Sequence, residues 1–325
     1  LVGKDNPEIT LTYTGRANDG TEVNGTKVPS LAGIYTVTAT IKDKNYSLKT
    51  EGASAAFIVA KAYPALSVSA VKDKKYGEEA FKLEVSNKGN GVKSYASSND
   101  KVVTVDKNGV VTIVGAGTAT LTVFLAQSAN YTADQKEVTI TVRKIEHSLM
   151  VDKISYKVTY GDPAFKITAK AGDKESGIQF ASDNKEVATV SKDGTVTMKG
   201  YGQTQVTISA AAKGNYLSTK KTVLITVKPV KADISSVKSA KSKKVTVKWK
   251  KDERATGYII QYSTDRQFKK NTETITIDAN KTTSKTIGKL KGGKNYYVRV
   301  CTYKKSNGKQ IKGSYSAVKS IKVKK

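Results

Sequence analysis

Two seven-residue stretches of this sequence are nearly the same, and they recur at the interval of a domain. YGEEAFK occupies residues 76–82, and YGDPAFK begins 84 positions later at residues 160–166. Each precedes a longer match: residues 97–123 read SSNDKVVTVDKNGVVTIVGAGTATLTV, and residues 182–208 read SDNKEVATVSKDGTVTMKGYGQTQVTI. Solenoid repeats are shorter, about 20–50 residues, and cannot bury a core alone. A chain of 325 residues with this period is therefore predicted to fold as a row of small domains.

The period extends towards the N-terminus. The pairs Asn130-Tyr131 and Asn215-Tyr216 are separated by nearly the same interval as the heptapeptides, and one further step back reaches Asn45-Tyr46. AGIYTVTATI, from Ala32, likewise aligns with AGTATLTVFL, from Ala116. We therefore expect three related units, here called the first, second and third repeats. The first lacks its start or follows a shorter pattern, and the opening LVGKDNPEIT resembles the interior of a longer polypeptide.

The local pattern within each repeat is that of β-strands. In the second repeat, apolar residues alternate with polar ones on both sides of Asp106-Lys107-Asn108-Gly109, which predicts a hairpin because glycine tolerates the positive φ of such a turn. The third repeat has the same arrangement around Lys192-Asp193-Gly194. No segment of about 12 residues or more has helical periodicity. The repeats are therefore predicted to be β-sandwiches.

The C-terminal segment has a different strand pattern. Its predicted inward-facing positions are Val245, Val247 and Trp249, then Tyr258, Ile260 and Tyr262, then Tyr296, Val298 and Val300. Leu290 precedes the strand that begins at Tyr296, which predicts a tyrosine corner at Tyr296. A buried Trp with a tyrosine corner in about 95 residues indicates another β-sandwich.

These motifs resemble known families. Residues 62–144 and 145–229 resemble bacterial immunoglobulin-like domains of group 2, through the S-N/D-x-x-V-x-x-V core, the K-N/D-G hairpin and the G-x-G before a T-x-T-V strand. Residues 1–61, with YTG at Tyr13, AGIYTVTATI and NYSLK, resemble the related MBG modules. Residues 230–325 resemble a fibronectin type III domain. Together the resemblances cover nearly the whole chain.

The resemblance implies a place in a larger protein. Such strings occur in secreted or surface proteins of Gram-positive-type bacteria, as stalks of adhesins or as accessory modules behind the catalytic domain of polysaccharide-degrading enzymes. An upstream domain of the same polypeptide is then an expected partner. Both families host many roles, so the fold alone does not identify a ligand.

Composition disfavours catalysis. The chain has one cysteine, Cys301, and one histidine, His147, which excludes a cysteine metal cluster and leaves little basis for histidine acid–base chemistry. His147 lies in RKIEHSL between two repeats and is predicted to be a solvated linker residue. Cys301 is predicted to be a small packing residue, on the face of its strand opposite Val298 and Val300. We therefore expect no enzyme, no metal and no cofactor.

Other possible sites have simpler interpretations. DKNG from Asp106 and SKDG from Ser191 superficially suggest calcium, but the glycine follows Asp106 by only three residues, as in a hairpin and unlike an EF-hand loop. GAGTAT from Gly115 is not followed by a helical pattern, so a phosphate site is not expected. An intramolecular isopeptide bond stays open, because the sequence does not identify the Lys, its partner and the assisting acid.

The basic C-terminal segment is the feature with functional weight. Of the net charge of +28, most lies in residues 231–325, which hold 26 Lys and Arg against 6 Asp and Glu. Lysine is dense in one strand with its approach and around a later hairpin, where Lys289, Lys309 and Lys312 also lie. Such density can bind a polyanion by releasing its counterions. The candidate polyanion-binding residues are Lys243, Lys244, Lys248, Lys250, Lys291, Lys294, Lys304 and Lys305.

Three explanations of this charge remain. An anionic cell-wall polymer or polysaccharide is one partner, and nucleic acid stacked on Tyr297, Arg299 and Tyr303 is another, disfavoured because no nucleic-acid motif is present. The third is a solvated surface, since lysine protects sheet edges from pairing. Alternation predicts that Lys248 and Lys250 point outward.

We therefore predict an all-β protein of four tandem immunoglobulin-like and fibronectin-type β-sandwich domains, in an elongated, semi-rigid array of about 100 Å or more. No apolar run reaches the roughly 20 residues of a membrane span. The first functional hypothesis is an extracellular, monomeric spacer that contacts the cell wall through its basic end. The second is an adhesin stalk or a carbohydrate-binding accessory region of a glycoside hydrolase, which requires exposed aromatic rings.

Overall fold

The computed structural model describes residues 6–49, 53–172 and 177–325. The predicted first module also includes residues 1–5 and 50–52, which lie outside the described residues. The chain divides into two compact units, Leu1–Ile145 and Glu146–Lys325. Every regular element in the described ranges is a β-strand, which confirms the predicted all-β class. Over the same ranges, no helix has the length and apolar character that a membrane crossing requires.

The described strands of the first repeat form one sheet. They are β1 (Ile9–Ala17), β2 (Glu22–Gly25), β3 (Gly33–Ile41) and β4 (Ser54–Val59). Their order is β2-β1-β3-β4, with β3 antiparallel to both of its neighbours. One face of the sheet is rich in threonine and the other is apolar, because residues alternate between the two faces.

The second repeat has two main sheets around one core. Its strands are β5 (Ser67–Val68), β6 (Lys74–Lys75), β7 (Phe81–Lys82), β8 (Val85–Ser86), β9 (Lys93–Ser97), β10 (Val103–Val105), β11 (Val110–Ile113), β12 (Gly117–Leu125) and β13 (Asp134–Arg143). One sheet has the order β6-β13-β12-β9 and the other β10-β11-β7, while β5 pairs with β8. Leu121, Val123 and Ile140 from the first sheet and Val103 and Val111 from the second are fully buried.

The predicted hairpin joins β10 to β11. Val105 pairs with Val111, and Gly109 has φ +77°. The Asp106 carboxylate accepts hydrogen bonds from the backbone N–H groups of Asn108 (2.9 Å) and Val110 (2.8 Å). These bonds hold the pKa of Asp106 below its ordinary value. The hairpin interpretation of DKNG is confirmed, since the carboxylate closes the turn.

The repeated heptapeptide carries the chain from one sheet to the other. In YGEEAFK, Tyr76 follows β6 of the four-stranded sheet, Gly77 turns with φ +85°, and Phe81 begins β7 of the three-stranded sheet. Tyr76 and Phe81 both pack against the core of the second repeat. The phrase recurs because each sandwich needs the same crossover and the same two aromatic rings.

The third repeat has the same architecture. Its strands are β14 (Ile145–Glu146), β15 (Leu149–Val151), β16 (Ser155–Thr159), β17 (Phe165–Lys166), β18 (Ala169–Ala171), β19 (Ile178–Ser182), β20 (Ala188–Val190), β21 (Thr195–Met198), β22 (Gly202–Ala210), β23 (Tyr216–Leu217) and β24 (Thr219–Lys228). The main sheets are β16-β24-β22-β19 and β17-β21-β20. Val206, Ile208, Val223, Ile225 and Val227 are fully buried between them.

His147 is not a solvated linker residue, so that prediction is wrong. Its side chain is only 6% exposed and stacks on Tyr216, with ring centroids 4.8 Å apart. The second repeat explains the burial. There the Asn130-Tyr131 loop clasps the segment that precedes the sandwich, because Ala62 N–H donates to the Asn130 carbonyl (2.8 Å) and Thr132 N–H to the Ala62 carbonyl (3.0 Å). Ala62 and His147 are separated by the same interval as the two Asn-Tyr pairs, so they occupy equivalent positions. The Asn-Tyr loop of the third repeat therefore covers His147 in the same way.

The C-terminal segment is a sandwich with its own core. Its strands are β25 (Ile234–Lys238), β26 (Val245–Trp249), β27 (Gly257–Ser263), β28 (Glu273–Ile277), β29 (Ser284–Ile287), β30 (Asn295–Ser306), β31 (Lys309–Lys312) and β32 (Lys319–Lys322). One sheet has the order β25-β26-β29 and the other β28-β27-β30-β31, with β32 also paired to β30. Trp249 is buried, as predicted, and its ring lies 5.3 Å from that of Tyr258.

The outer face of the larger sheet has a second, smaller cluster. Cys301 is fully buried there with Ile259 and Tyr303, and Tyr315 packs against them. Cys301 therefore lies on the face opposite Val298 and Val300 and is a packing residue, as predicted. Burial raises the pKa of its thiol.

Within the second unit, the third repeat and the C-terminal segment are joined by side-chain hydrogen bonds. Tyr201 Oη donates to Asp252 (2.8 Å), and Gln203 N–H donates to Ser306 Oγ (3.0 Å). The Arg254 guanidinium lies 4.6 Å from the centre of the Tyr160 ring. These contacts fix the joint at one end of the C-terminal sandwich.

Candidate polyanion-binding surface

The eight candidate lysines are accessible but do not form one surface. Seven are exposed and Lys304 is partly buried. Lys248 and Lys250 point outward from the strand that buries Trp249, as alternation predicts. The structure brings together Lys243, Lys244, Lys291 and Lys294 at one end of the C-terminal sandwich. The other four lie along β26 or towards its opposite end.

Backbone hydrogen bonds join three turns at the first end. The turn before β26 contacts the C-terminal residues, because Lys243 N–H donates to the Lys324 carbonyl (2.9 Å). It also contacts the turn before β30, because Leu290 N–H donates to the Lys243 carbonyl (3.1 Å). Gly293 N–H donates to the Val323 carbonyl (2.7 Å), which closes the third side. Lysines on three separate stretches of sequence are thereby held side by side.

The tyrosine corner holds the second of these turns. Tyr296 is buried in the core, and its hydroxyl oxygen accepts a hydrogen bond from Lys291 N–H (3.3 Å). Leu290 is buried beside it in the same core. The predicted corner is therefore confirmed, and it fixes the backbone from which Lys291 and Lys294 project.

We call this surface the lysine end cluster. It consists of eight exposed lysines: Lys241, Lys243, Lys244, Lys289, Lys291, Lys294, Lys324 and Lys325. Four of these eight lysines are not among the sequence-based candidates: Lys241, Lys289, and the adjacent pair Lys324 and Lys325. The sequence signal was present, since the KVKK ending contains the inward-facing Val323, which is 1% exposed. The sequence pattern did not show that the backbone just after β32 returns to the turn at Lys243.

The end cluster carries unneutralised charge. Among the residues that the structure describes, none of its lysines forms an ion pair. Charges closer than the Debye length, about 10 Å at 0.1 M salt, act together on a ligand. The end cluster therefore presents a concentrated positive potential to a polyanion.

Two lysines at the opposite end are neutralised. Lys250 Nζ lies 2.8 Å from Asp233, and Lys305 Nζ lies 3.4 Å from Asp278. The Lys250 ammonium holds the pKa of the Asp233 carboxyl below its ordinary value. The pKa of Asp278 is also lowered, first by the Tyr303 hydroxyl and then by Lys305. These lysines contribute less to the outer potential than those of the end cluster.

The two groups are too far apart to act as one site. Lys294 and Lys305 flank most of β30, and eleven strand residues correspond to about 36 Å. Lys244 and Lys250 flank β26 and are separated by about 20 Å. Both distances exceed the Debye length at 0.1 M salt.

Of the three residues proposed for base stacking, Arg299 and Tyr303 are occupied, while Tyr297 is partly exposed. Tyr303 is fully buried and its hydroxyl donates to Asp278, so the prediction that it is available to a base is wrong. The Arg299 guanidinium lies between the rings of Phe268 (4.1 Å) and Tyr315 (4.2 Å). Tyr303 is unavailable to a base because the segment after β31, which contains Tyr315, covers this face of the sheet.

Two family models match parts of the chain. The model of the fibronectin type III domain matches residues 229–316, and that of the intimin immunoglobulin-like domain matches residues 76–127. The chain contains a fibronectin type III domain and an intimin-like immunoglobulin domain. None of the curated proteins matches it.

Several solved structures of tandem domains are similar to this chain at low identity. Titin domains A168–A170 are 12% identical with a TM-score of 0.34, covering 81% of this chain and 99% of theirs. Chicken CNTN1 domains FN1–FN3 are 14% identical with a TM-score of 0.27 and the same coverage. Domains 1–6 of the surface layer protein SbsC are 18% identical with a TM-score of 0.26, and the match spans 97% of this chain and 48% of that structure.

The matched domains constrain the class of function. Immunoglobulin-like and fibronectin type III domains are typically non-catalytic, structural modules that often mediate protein interactions. A chain that contains both fits a multidomain stalk or adhesion-type region of an extracellular protein.

Proposed function

We propose that this chain is a non-catalytic spacer of a secreted multidomain protein of a Gram-positive-type bacterium, and that its lysine end cluster contacts an anionic cell-wall polymer. The observation that carries the proposal is the clustering of eight exposed lysines at one end of the C-terminal sandwich, which form no ion pair with any residue that the structure describes. Teichoic-acid phosphates have the chemistry that such a cluster binds, because each contact releases condensed counterions.

We also propose that the chain acts as a monomer of four modules, with boundaries at residues 61/62, 144/145 and 229/230. Three separate buried clusters support this division. Their buried members fall within residues 66–142, 149–227 and 234–323. The hydrogen bonds between Tyr201 and Asp252 and between Gln203 and Ser306 support a stiff joint between the last two modules.

The tyrosines support the spacer over a carbohydrate-binding accessory region. The structure describes all 17 tyrosines, and Tyr63 is the one that is largely exposed; its hydroxyl donates to Asp134 (2.7 Å). The single Trp, Trp249, is buried. A flat platform for stacked sugars needs two or more accessible rings, whereas the other sixteen tyrosines are buried or half-buried.

The test compares two variants with the same change in charge. In the first, Lys243, Lys244, Lys291 and Lys294 of the end cluster are replaced by Gln. In the matched control, the other candidates, Lys248, Lys250, Lys304 and Lys305, are replaced by Gln. Binding of each chain to isolated Gram-positive walls is measured by sedimentation between about 50 and 300 mM salt.

The end-cluster variant is expected to bind more weakly and with a smaller dependence on salt. If all four lysines contact phosphates, the slope of log K against log salt falls by about 3, at roughly 0.7 per contact for a flexible polyanion. The control is expected to change the slope by less than about 1. Equal losses in both variants would show that net charge acts without a site. Binding that does not respond to salt would contradict the electrostatic mechanism.

A further inference from the structure

The outer face of the larger C-terminal sheet holds an arginine side chain in a fixed orientation. Arg299 lies on β30, and its guanidinium carbon is 4.1 Å from the centre of the Phe268 ring and 4.2 Å from that of the Tyr315 ring. Its Nε and Nη2 atoms donate hydrogen bonds to Gln261 Oε1, at 2.9 and 2.6 Å. Gln261 is the residue that pairs with Arg299 on β27. Three side chains from separate stretches of sequence therefore hold the guanidinium in place.

One edge of this guanidinium is unused. An arginine side chain has five N–H donors in a rigid plane, and Gln261 takes one from Nε and one from Nη2. Nη1 forms no hydrogen bond with a residue that the structure describes, and it is not one of the buried polar atoms left without a partner, so solvent reaches it. The remaining N–H groups of Nη1 and Nη2 form a fork whose spacing matches the two oxygens of a carboxylate. We call this edge the Arg299 fork.

No described residue supplies a carboxylate to the fork, because Arg299 is in none of the ion pairs of the described ranges. Asp265 lies in the neighbouring loop between β27 and β28, but its carboxylate accepts hydrogen bonds from the backbone N–H groups of Gln267 (2.9 Å), Lys269 (2.9 Å) and Lys270 (3.1 Å). A partly desolvated charge attracts an opposite charge more strongly than a charge in bulk water does. Arg299 therefore remains a cation with a directed pair of donors and no counter-charge from these residues.

The loop that contains Phe268 has a strained backbone. Phe268 has φ +58° and Asn271 has φ +52°, in the left-handed region that bulky residues rarely adopt. The loop is closed at its base by the Ser263 hydroxyl, which donates to the Lys270 carbonyl (2.6 Å). Strain of this kind persists where the surrounding contacts determine it, and it is concentrated at functional sites. The strained residue is here the one whose ring covers a face of the Arg299 guanidinium.

The surroundings of the fork suit a sugar ring that carries a carboxylate. Phe268 and Tyr315 are half-buried, and so is Tyr297, which precedes Arg299 by two residues and projects from the same face of β30. Binding sites commonly combine aromatic side chains with one placed charge. A pyranose ring offers apolar C–H groups to such rings, whereas an acidic peptide side chain brings the carboxylate without them. Recognition of one charged group at its edge needs no flat platform of accessible rings.

We propose that the Arg299 fork binds the carboxylate of a uronic acid unit in an acidic polysaccharide. Nη1 and Nη2 each donate to one carboxylate oxygen in the plane of the guanidinium, and the sugar ring lies against Tyr297. The site is distinct from the lysine end cluster, because a guanidinium selects a coplanar carboxylate whereas lysines act as point charges. Gln261 and the two covering rings fix the guanidinium beforehand, so binding orders little of the protein.

The probe is trigalacturonate, titrated into the intact chain labelled with ¹⁵N. The measured signal is the Nε–H resonance of Arg299, whose proton is held by Gln261. A saturable shift of this resonance with Kd below about 10 mM is expected. The methyl-esterified trimer has the same rings without the charge and is expected to give no saturable shift. Triglutamate has three carboxylates without sugar rings and is expected to bind at least about threefold more weakly.

The receptor is tested by two substitutions with the same change in charge, with binding followed from the proton signals of the ligand. Arg299→Met keeps a long apolar side chain between the rings and removes the donors, and it is expected to weaken trigalacturonate binding at least about tenfold. Arg266→Met changes an exposed arginine of the loop that contains Phe268 and is expected to bind within about twofold of the unmodified chain. The end-cluster Gln variant is expected to bind within about threefold. Urea unfolding followed by Trp249 fluorescence checks that each variant is folded.

Four results would overturn the proposal. The first is absence of a saturable shift at Arg299, and the second is equal binding by Arg299→Met and the unmodified chain. The third is equal affinity for triglutamate, which would assign the fork to an acidic peptide. The fourth is loss of binding in the end-cluster variant with Arg299→Met unaffected, which would place the ligand on the lysines. The comparison of trigalacturonate with its methyl ester uses the unmodified chain, so it decides even if a variant is unstable.

Discussion

Replacing Tyr296 by Phe removes the hydroxyl of the tyrosine corner and leaves its ring. The ring is buried in the core of the C-terminal sandwich, with its centre 6.4 Å from that of Tyr262, so the substitution creates no cavity there. What is lost is the hydrogen bond from Lys291 N–H, at 3.3 Å. A hydrogen bond of this kind contributes about 0.5–1.5 kcal/mol net. We therefore expect the free energy of unfolding to fall by about 1 kcal/mol. Tyr296→Ala also deletes the ring and should cost about 3–5 kcal/mol.

The full chain has a built-in probe of this sandwich. Trp249 is its single tryptophan and is buried in the same core as Tyr296, so Trp fluorescence during urea unfolding follows the C-terminal sandwich alone. With a slope of about 1.5 kcal/mol per M, a loss of 1 kcal/mol lowers the midpoint by about 0.7 M. Tyr297→Phe is the matched control, because Tyr297 lies on the opposite face of β30.

The outcome has a second part, because the corner fixes the turn that carries Lys291 and Lys294. If the turn positions these lysines, Tyr296→Phe should also weaken binding to an anionic polymer, at unchanged net charge. A midpoint for Tyr296→Phe within about 0.2 M of the unmodified chain would refute the structural role of the corner. So would an equal shift in Tyr297→Phe.

Three further outcomes are expected. His147→Ala should lower the calorimetric melting temperature of the third repeat, because stacking on Tyr216 at 4.8 Å contributes about 0.5–1.5 kcal/mol beyond burial; no change relative to Lys144→Ala would restore the linker interpretation. Cys301 should react slowly with a disulfide reagent at pH 8 until urea unfolds the sandwich, because burial raises the pKa of its thiol; fast reaction in the folded chain would contradict its burial. Burial and Asp278 raise the pKa of Tyr303 from 10.0 to about 12, so stability present below pH 10 should be lost as the pH rises to 12. In Tyr303→Phe the loss of stability between pH 10 and 12 should be smaller, because about one proton fewer is released in that range. Stability is measured at each pH by Trp fluorescence.

The strands and turns could be predicted from the sequence because their causes are local. The alternation around Asp106 and Gly109 predicts the β10–β11 hairpin, and the Leu-then-Tyr spacing predicts the corner at Tyr296. Each of these depends on the two-residue period of a strand or on one turn, and both are written within a few residues.

The errors have non-local causes. His147 is polar and lies between two repeats, which is the pattern of a linker, yet the loop at Tyr216, near the other end of the third repeat, covers it. Tyr303 alternates outward from the core as predicted, but the segment around Tyr315 covers that face as well. In both cases the local pattern was interpreted correctly, and the covering element was outside it.

The sequence predicted that the candidate site is basic, but it did not predict which lysines form it. A strongly basic segment follows from a count of charges, whereas its division into an end cluster and a paired group depends on which turns meet. Lys324 joins Lys243 through a backbone hydrogen bond between the last strand of the sandwich and the turn before its second strand. Asp233 lies just before β25, the strand that pairs with β26, and its carboxylate forms an ion pair with Lys250. Lys250 therefore adds less to the exposed positive charge.

The pairing pattern has a physical explanation within the second unit. The end of the C-terminal sandwich that contains Lys250 and Lys305 also contains the joint with the third repeat, where Ser306 accepts a hydrogen bond from Gln203. These ion pairs are solvated, since all four side chains are more than half exposed. At a joint between two modules they limit the repulsion between like charges. The opposite end has no such requirement within this unit, so its lysines can remain unpaired. A ligand that is itself anionic would then supply the counter-charge that the sequence omits at that end.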